Sequence, residues 1–415
     1  MSEAAATVPY DVAIAGGGLV GASLALALAP LGLRIALVEA AVPGAAHPSF
    51  DERTTALANG TVRVFRSLGV WRDMEREATP IRRIHVSDQG RFGSARIDAA
   101  EQGLEALGYV LPNRVIGAAL WAGLGTASGV DVVAPAQVAG SELAADARLL
   151  RFEREGSAKA LAARLVVAAD GVASLVREQA GVGAEHWAYE QTAVTATITT
   201  QRFHDHVAYE RFTAEGPIAV LPLADGRCGI VWTRRPEEAG RVLALDDAAF
   251  LAELQRAFGF RLGRLLRVGA RHAYPLALSR SAAHTGERLA IVGNAAQSLH
   301  PIAGQGFNLG LRDAASLAEV LADARAAGET DAGAAAPLAA YSRWREEDRR
   351  GIVAFTDGLV RLFGNPLGVV RGLRSAGLLA FDAFPPAKSA LSRLSVGAAG
   401  RVPRLARGVP LTEAR

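Results

Sequence analysis

The sequence predicts an α/β fold: a parallel-sheet domain assembled from separated stretches of chain, an inserted antiparallel β-sheet, and a helical C-terminal region. Three observations carry this. Near residue 12 and again near residue 289 a short apolar run feeds a glycine-rich turn and then a helical pattern. Between them, from about Trp187 to Arg280, β-branched residues alternate along several short segments. The chain has 415 residues, too many for one compact core, so two or more domains are expected.

The first element is "YDVAIAGGGLVGASLALALAPLGLRIALVEA". Val12 to Ile14 form an apolar strand, Leu24, Leu28 and Leu31 recur at helical spacing, and Ile35 to Val38 form a second buried strand ending in Glu39. Gly16, Gly18 and Gly21 give G-x-G-x-x-G between strand and helix. Gly16 permits the tight turn, Gly18 lets backbone approach a pyrophosphate, and Gly21 lets the helix pack on the sheet. The helix start, at Leu19 and Val20, offers N–H groups and partial positive charge to phosphates. Glu39 follows Gly21 by 18 residues, where an acid accepts bonds from ribose hydroxyls. In a chain with 44 glycines the bare pattern is weak; strand, helix and acid together make it a dinucleotide site. The acid suits FAD or NAD and argues against tightly held NADP. Val12 to Leu33 carries no charge and is long enough to span a bilayer. The preceding Glu3 and Asp11 do not suit a signal peptide, and the glycine turn gives the run a better reading.

In the middle of the chain, Asn59 to Val70 reads as an amphipathic helix preceded by "DERTTAL", and Ile81 to Asp98 as a hairpin turning at Asp88–Gly90. Asn113 to Leu124 is helical, with Arg114 in its first turn; Val130–Val133, a segment at Val138, Leu149–Phe152 and Leu165–Ala169 are strands. "VVAADGVASLVREQAG" is a buried strand ending at Asp170–Gly171, with a helix from Ser174 that bears Arg177. Taken alone, an ordinary strand-to-helix connection with a capping Asp and a helical Arg is the lesser alternative. Thr192–Thr200, Tyr209–Phe212, Ile218–Leu223 and Cys228–Thr233 are the inserted strands, followed by a helix over Ala248–Phe258. One face of this sheet should cover the first domain and leave an apolar cleft for a ligand.

The second glycine-rich stretch is "RLAIVGNAAQSLHPIAGQGFNLGLRDAASLAEVL". Leu289–Val292 is a buried strand, the loop from Gly293 to Gly306 has little side-chain bulk, and a helix begins near Phe307–Asn308. Here the chain resembles the class A flavoprotein monooxygenases, with a para-hydroxybenzoate hydroxylase-like, Rossmann-type FAD-binding domain. The fingerprint at Gly16–Gly21, a "DG" motif at Asp170–Gly171 with Arg177, and a "GD"-type motif at Gly293–Asn294 appear in the family's order. Asn294 departs from the usual Asp; Asn still bonds a hydroxyl or phosphate but adds no charge beside the pyrophosphate. The run "GNAAQSLHPIAGQGFNLGLRD", with Gln297 and His300, is similar to the ubiquinone-biosynthesis hydroxylases, above all the branch acting on 2-polyprenyl-6-methoxyphenol.

The resemblance implies an FAD-binding domain over 1–80, 101–185 and 286–350, a substrate-domain hairpin over 81–100, a β-sheet substrate domain over 186–285, and a basic apolar helical region over 351–415. It implies FAD contacts from Gly16, Gly18, Leu19, Val20, Gly21, Glu39, Arg53, Arg114, Val138, Asp170, Gly171, Gly293, Asn294, Pro301, Gly304, Gln305, Gly306 and Asn308. His300, Pro301 and Gln305 are the candidates beside the reacting oxygen; a structural His before Pro301 is the plainer account of His300. His272 and Tyr274 are pocket candidates.

The chemistry implied is reduction of FAD by transiently bound NADPH, addition of O2 at flavin C4a to give a hydroperoxide, and hydroxylation of a polyprenylated phenol to 2-polyprenyl-6-methoxy-1,4-benzoquinol. A sister enzyme acting at another ring carbon, a related reductase or halogenase, and a non-catalytic FAD subunit of a quinone-biosynthesis complex fit the same scaffold. The halogenase tryptophan motif is not apparent, Trp232 being followed by "TRRP".

Composition bounds the partners. Net charge is +3 and nearly all basic residues are Arg, with Lys only at 159 and 388, so the basic pI reflects composition and no nucleic-acid surface is expected. The single Cys228 suggests a reducing compartment, hence a cytoplasmic chain. No metal site is expected. Arg361, Arg371, Arg374, Lys388, Arg393, Arg401, Arg404 and Arg407 face few acids in an apolar C-terminal region. They read as solvated arginines on packed helices, or as a basic surface that rests on the inner face of the membrane or docks to a complex.

Overall fold

The structure is a computed structural model that describes residues 10–41, 53–91, 93–298, 305–364 and 400–412, with only the backbone of 305 and 352–364. Its centre is an eight-stranded sheet. Five strands run parallel in the order Leu289–Ile291, Ser157–Ala168, Tyr10–Ala15, Ile35–Val38, Val130–Val133. Val12–Ala15 and Ile35–Val38 have no exposed surface, the pattern of strands covered on both faces. Helices Leu19–Leu28, Asn113–Leu124 and Gln305–Ala326 cover one face with Leu24, Leu28, Leu120 and Leu317. The other face is closed by Val138, Leu150, Phe152 and Val176. The first three lie on an antiparallel meander of Gln137–Leu143, Arg148–Arg154 and the outer half of Ser157–Ala168, and Val176 lies on the helix Leu175–Gln179. That outer half is exposed, so its apolar signal is confined to the inner residues the sequence marked.

The uncharged run from Val12 to Leu33 is strand, helix and 3-10 turn inside this core. Among the described residues no helix is long and apolar enough to cross a membrane.

A nine-stranded sheet stands over the first. Its path is Gln297–Ser298, His272–Ser281, Ala184–Thr200, Arg227–Arg234, Gly216–Pro222, Val207–Thr213, Arg83–Asp88, Ser94–Asp98, with Leu265–Val268 beside Ala184–Thr200. It is antiparallel except where the 83–98 hairpin joins: Val207–Thr213 and Arg83–Asp88 run parallel. The hairpin comes from a remote part of the chain, so no tight turn dictates an antiparallel pairing. One face packs on helices Pro236–Leu243 and Asp247–Phe258 through Trp232, Phe250 and Phe258. The opposite face meets a three-stranded sheet of Thr54–Ala58, Gly108–Pro112 and Thr79–Ile81, with Ala208 and Leu223 against Ile81 and Val110.

Candidate cofactor and substrate site

Four neighbouring parallel strands end on one side of the central sheet, and each end carries a motif residue. Gly16 ends Tyr10–Ala15, Glu39 ends Ile35–Val38, Asp170 follows Ser157–Ala168, and Gly293 follows Leu289–Ile291. Ligands in open α/β sheets bind in the crevice outside such carboxyl ends.

At the first turn, Gly16 has φ +100 and its N–H donates to the Val38 carbonyl at 2.8 Å. A Cβ on Gly21 would sit 1.9 Å from the Gly16 carbonyl oxygen, so helix and turn touch as only glycine allows. Gly18 differs: nothing lies within 4 Å of where its Cβ would be, and no side chain caps the helix that starts at Leu19. Helix N–H groups thus meet open space, as a pyrophosphate requires. The Glu39 carboxylate is buried and accepts the Gly17 N–H at 2.6 Å and the Ala41 N–H at 2.8 Å. It braces the turn at the end of the second strand. Trp121 donates its indole N–H to the Gly17 carbonyl at 3.2 Å.

The second turn is fastened from below. Gly293 has φ +62, and its N–H donates to Asp313 Oδ2 at 2.9 Å; Gln297 Nε2 donates to the same oxygen at 2.7 Å. Arg345 Nε donates to Asp313 Oδ1 at 2.7 Å, and both residues are fully buried. Burial pushes the Asp313 carboxyl above the usual carboxylate range, against the pull of Arg345. Arg345 also pairs with Asp348, which Arg312 meets at 2.8 Å.

The two glycine turns meet. A Cβ on Gly293 would lie 3.2 Å from the Val20 methyls, and one on Gly310 would lie 3.0 Å from Gly293 Cα and 3.1 Å from a Val20 methyl. The bareness of the second stretch is what lets its helix close on the first. Asn294 is exposed beside this contact.

Between the turns, Asp170 is half of a second brace. Its Oδ2 accepts the Val176 N–H at 3.3 Å, while its Oδ1 is buried with no partner among the described residues. Burial raises this carboxyl, with the bonds to Ser174 and Val176 opposing. Nothing lies within 4 Å of a Cβ placed on Gly171, at φ +92. Arg177 is buried and donates to the Val172 carbonyl at 3.1 Å and the Ala295 carbonyl at 2.8 Å, tying this segment to the second turn.

Other candidates are spread out. Arg53 lies 4.8 Å over the Tyr274 ring, so the start of the three-stranded sheet touches the nine-stranded sheet there. Asn308 spends its amide on neighbouring chain: Oδ1 accepts from the Ala58 N–H at 2.8 Å and Thr61 Oγ1 at 2.7 Å, and Nδ2 donates to the Ala56 carbonyl at 3.0 Å. Arg114 is exposed and paired with Glu77 at 2.7 Å. Val138 packs in the buried layer under the central sheet, and His272 is exposed. Gln305 opens its helix and Gly306 faces open space. His300, Pro301 and Gly304, together with Arg371, Arg374, Lys388 and Arg393, lie outside the described residues, as does the side chain of Arg361.

Sequence reasoning missed Asp313, Arg345 and Trp121. The first stands beside Arg312 on a helix that also carries Glu319 and Asp323, so nothing in the pattern singles it out, and nothing in the spacing names a partner 32 positions away.

An open helix start, a buried acid at the second strand, the partnerless Asp170 oxygen and a bare loop on the far side fit an extended dinucleotide cofactor. A three-layer scaffold of this kind with a covering mixed sheet defines the class A flavoprotein monooxygenases. Residues 9–356 match the family described as "FAD binding domain", and the chain belongs to that family and is an FAD-dependent monooxygenase. It is 39% identical to "Ubiquinone hydroxylase UbiL" of Rhodospirillum rubrum, over 97% of this chain and 93% of that protein. It is 34% identical to "3-demethoxyubiquinol 3-hydroxylase" of Escherichia coli, over 90% of this chain and 95% of that protein. Among solved structures, p-nitrophenol 4-monooxygenase PnpA from Pseudomonas putida DLL-E4 superposes with TM-score 0.77 at 18% identity, covering 95% of this chain and 99% of that one. These neighbours share the fold.

Proposed function

We propose that this monooxygenase hydroxylates the aromatic ring of a polyprenylated phenol in ubiquinone biosynthesis, taking 2-polyprenyl-6-methoxyphenol to 2-polyprenyl-6-methoxy-1,4-benzoquinol with O2 and NADPH. The observation that carries the pathway is similarity over almost the full length to proteins named as ubiquinone hydroxylases. The ring carbon rests on the loop "GNAAQSLHPIAGQG". The E. coli relative's name points to hydroxylation at a different position, which is the second reading.

Bound FAD supplies the storage of electrons and the activation of O2. The chain supplies position and exclusion of water. The helix start at Leu19–Val20 holds the pyrophosphate, Glu39 the adenosine ribose, and Asp170, Gly171, Gly293 and Asn294 the middle of the cofactor. The covering sheet closes the cleft, with the Arg53–Tyr274 contact bridging it. NADPH binds transiently and uses no second glycine fingerprint. The chain is cytoplasmic in this reading. The prenyl tail keeps the substrate in a membrane, and the basic C-terminal region rests on its inner face or on a biosynthetic complex. Flotation with acidic liposomes at low salt checks that contact; absence of binding removes it.

The decisive experiment is anaerobic reduction of the holoprotein by NADPH, then admission of air with a prenylated methoxyphenol. The expected product carries a new hydroxyl para to the phenolic oxygen. Hydroxylation only of a substrate lacking the methoxy group reassigns the chain to the second reading. Reduction and reoxidation with no ring product leaves a non-catalytic FAD protein.

A further inference from the structure

The cleft face of the covering sheet can be read from its register. Tyr209 packs against Phe258, with ring centroids 5.6 Å apart, so it faces the helices behind the sheet. Its neighbours Ala208 and Glu210 therefore face the other way, and Ala208 indeed meets Ile81 and Val110 of the cofactor half. In register with Glu210 across the sheet stand Val86, Ala219, Val231, Thr195 and His272. Farther along the same face Tyr274 lies under Arg53. Val86, Glu210, Ala219, Val231 and Thr195 are all half-buried although they belong to inner strands, so this face is not packed shut by the described residues.

Glu210 is the carboxylate in the middle of that wall. It makes no hydrogen bond or ion pair with any described residue. On its own strand it is flanked by Ala208 and Phe212, and on adjoining strands by Ile84, Val86, Ala219 and Leu221. Thr79–Ile81, packed against the face, brings no ionisable group. The nearest acid in register, Asp88, stands opposite Phe212 at the end of the face and is buried with its own partner. A carboxylate is costly in such a place unless a ligand completes it.

We propose that Glu210 is the polar anchor of the substrate ring: its carboxylate accepts the hydrogen bond of the phenolic hydroxyl and takes that proton as the ring attacks the oxidant. The phenol O–H bond breaks and a carboxyl O–H bond forms. The new ring C–O bond takes its oxygen from FAD-activated O2, whose O–O bond breaks with the other oxygen leaving as water. The electron pair stays on the phenolic oxygen and feeds the ring, and the proton passes to water when product leaves. Ala219 and Val231, on the next two strands at about 5 Å spacing, give the flat apolar wall beside it. Burial alone raises the Glu210 carboxyl to about 7, so near neutrality the group can both accept and return a proton. The anchor rests on the hydroxylase reading above.

The test compares wild-type holoenzyme with Glu210→Gln and Glu210→Leu. Three quantities are measured: phenol binding by perturbation of the flavin spectrum, NADPH consumed per ring product, and the pH profile of hydroxylation in a single turnover. Wild type should gain rate as pH rises through about 7. Both variants should keep FAD and NADPH oxidation, lose that limb, and fall about 100-fold in hydroxylation, the reducing equivalents appearing as hydrogen peroxide. Hydroxylation by Glu210→Gln within about threefold of wild type, on the same pH profile, overturns the anchor and leaves the hydroxylase reading standing. Failure of wild type itself to hydroxylate any phenol overturns the hydroxylase reading, and the anchor with it.

Discussion

At the residue scale the buried carboxylate Asp313 matters most. It accepts from Gly293, Gln297 and Arg345 at once, and so fixes the second glycine turn. Asp313→Ala leaves a wholly buried guanidinium short of its partner, which costs about 3 kcal/mol or more. Urea unfolding should show that loss, and FAD should dissociate more readily. Gly21→Ala puts a methyl on the Gly16 carbonyl, and neither group is a flexible tip that can yield. The expected outcome is folded, colourless protein whose flavin content does not recover with added FAD. Asn294→Asp, by contrast, changes an exposed side chain and should alter stability by less than about 0.5 kcal/mol. Denaturant midpoints of the apoprotein check this. Gly16 and Gly21 were legible because backbone geometry demands glycine there. Asp313 and Arg345 were not, because a buried ion pair has no periodicity.

At the element scale, a long periodic segment was read to the residue: Asn113–Leu124 falls where the pattern put it. The strands Thr54–Ala58, Thr79–Ile81 and Gly108–Pro112 were not read, since three to five residues give alternation too little length. His272–Ser281 hides behind Pro275 and an exposed inner half. Pro236–Leu243 is a helix of eight residues interrupted by Gly240. Asn308 binds Thr54–Ala58 to the helix Gln305–Ala326 through two hydrogen bonds, and a third reaches Thr61 just beyond the strand. Asn308→Ala should cost about 1–3 kcal/mol and raise amide exchange over residues 54–58 before it affects the rest of the sheet.

At the scale of the whole molecule, acid stability has an identifiable source. His284 is buried with both ring nitrogens lacking hydrogen-bond partners among the described residues. Burial, then Arg349 and Arg345, lower its pKa from 6.5 to about 3, with Glu346 at 3.9 Å on the other side. The folded state therefore resists a proton that the unfolded chain accepts. Its contribution is intact above 6.5 and disappears as pH falls toward 3. His284→Phe should flatten the decline in urea midpoint between pH 7 and 4.5. The architecture itself was legible because two strand–turn–helix units flank a β-rich insert. The parallel junction at Arg83–Asp88 was not, because pairing between remote segments leaves no local mark.

Val20 seated against Gly293 and Gly310 also has a bearing on biogenesis. Those partners are separated by most of the polypeptide, so a ribosome that has made only the first two-thirds has produced one jaw of a clamp. If the coenzyme is held as proposed above, its loading waits until the strand Leu289–Ile291 has emerged and inserted beside Ser157–Ala168, which makes flavin capture a late step in the birth of the protein.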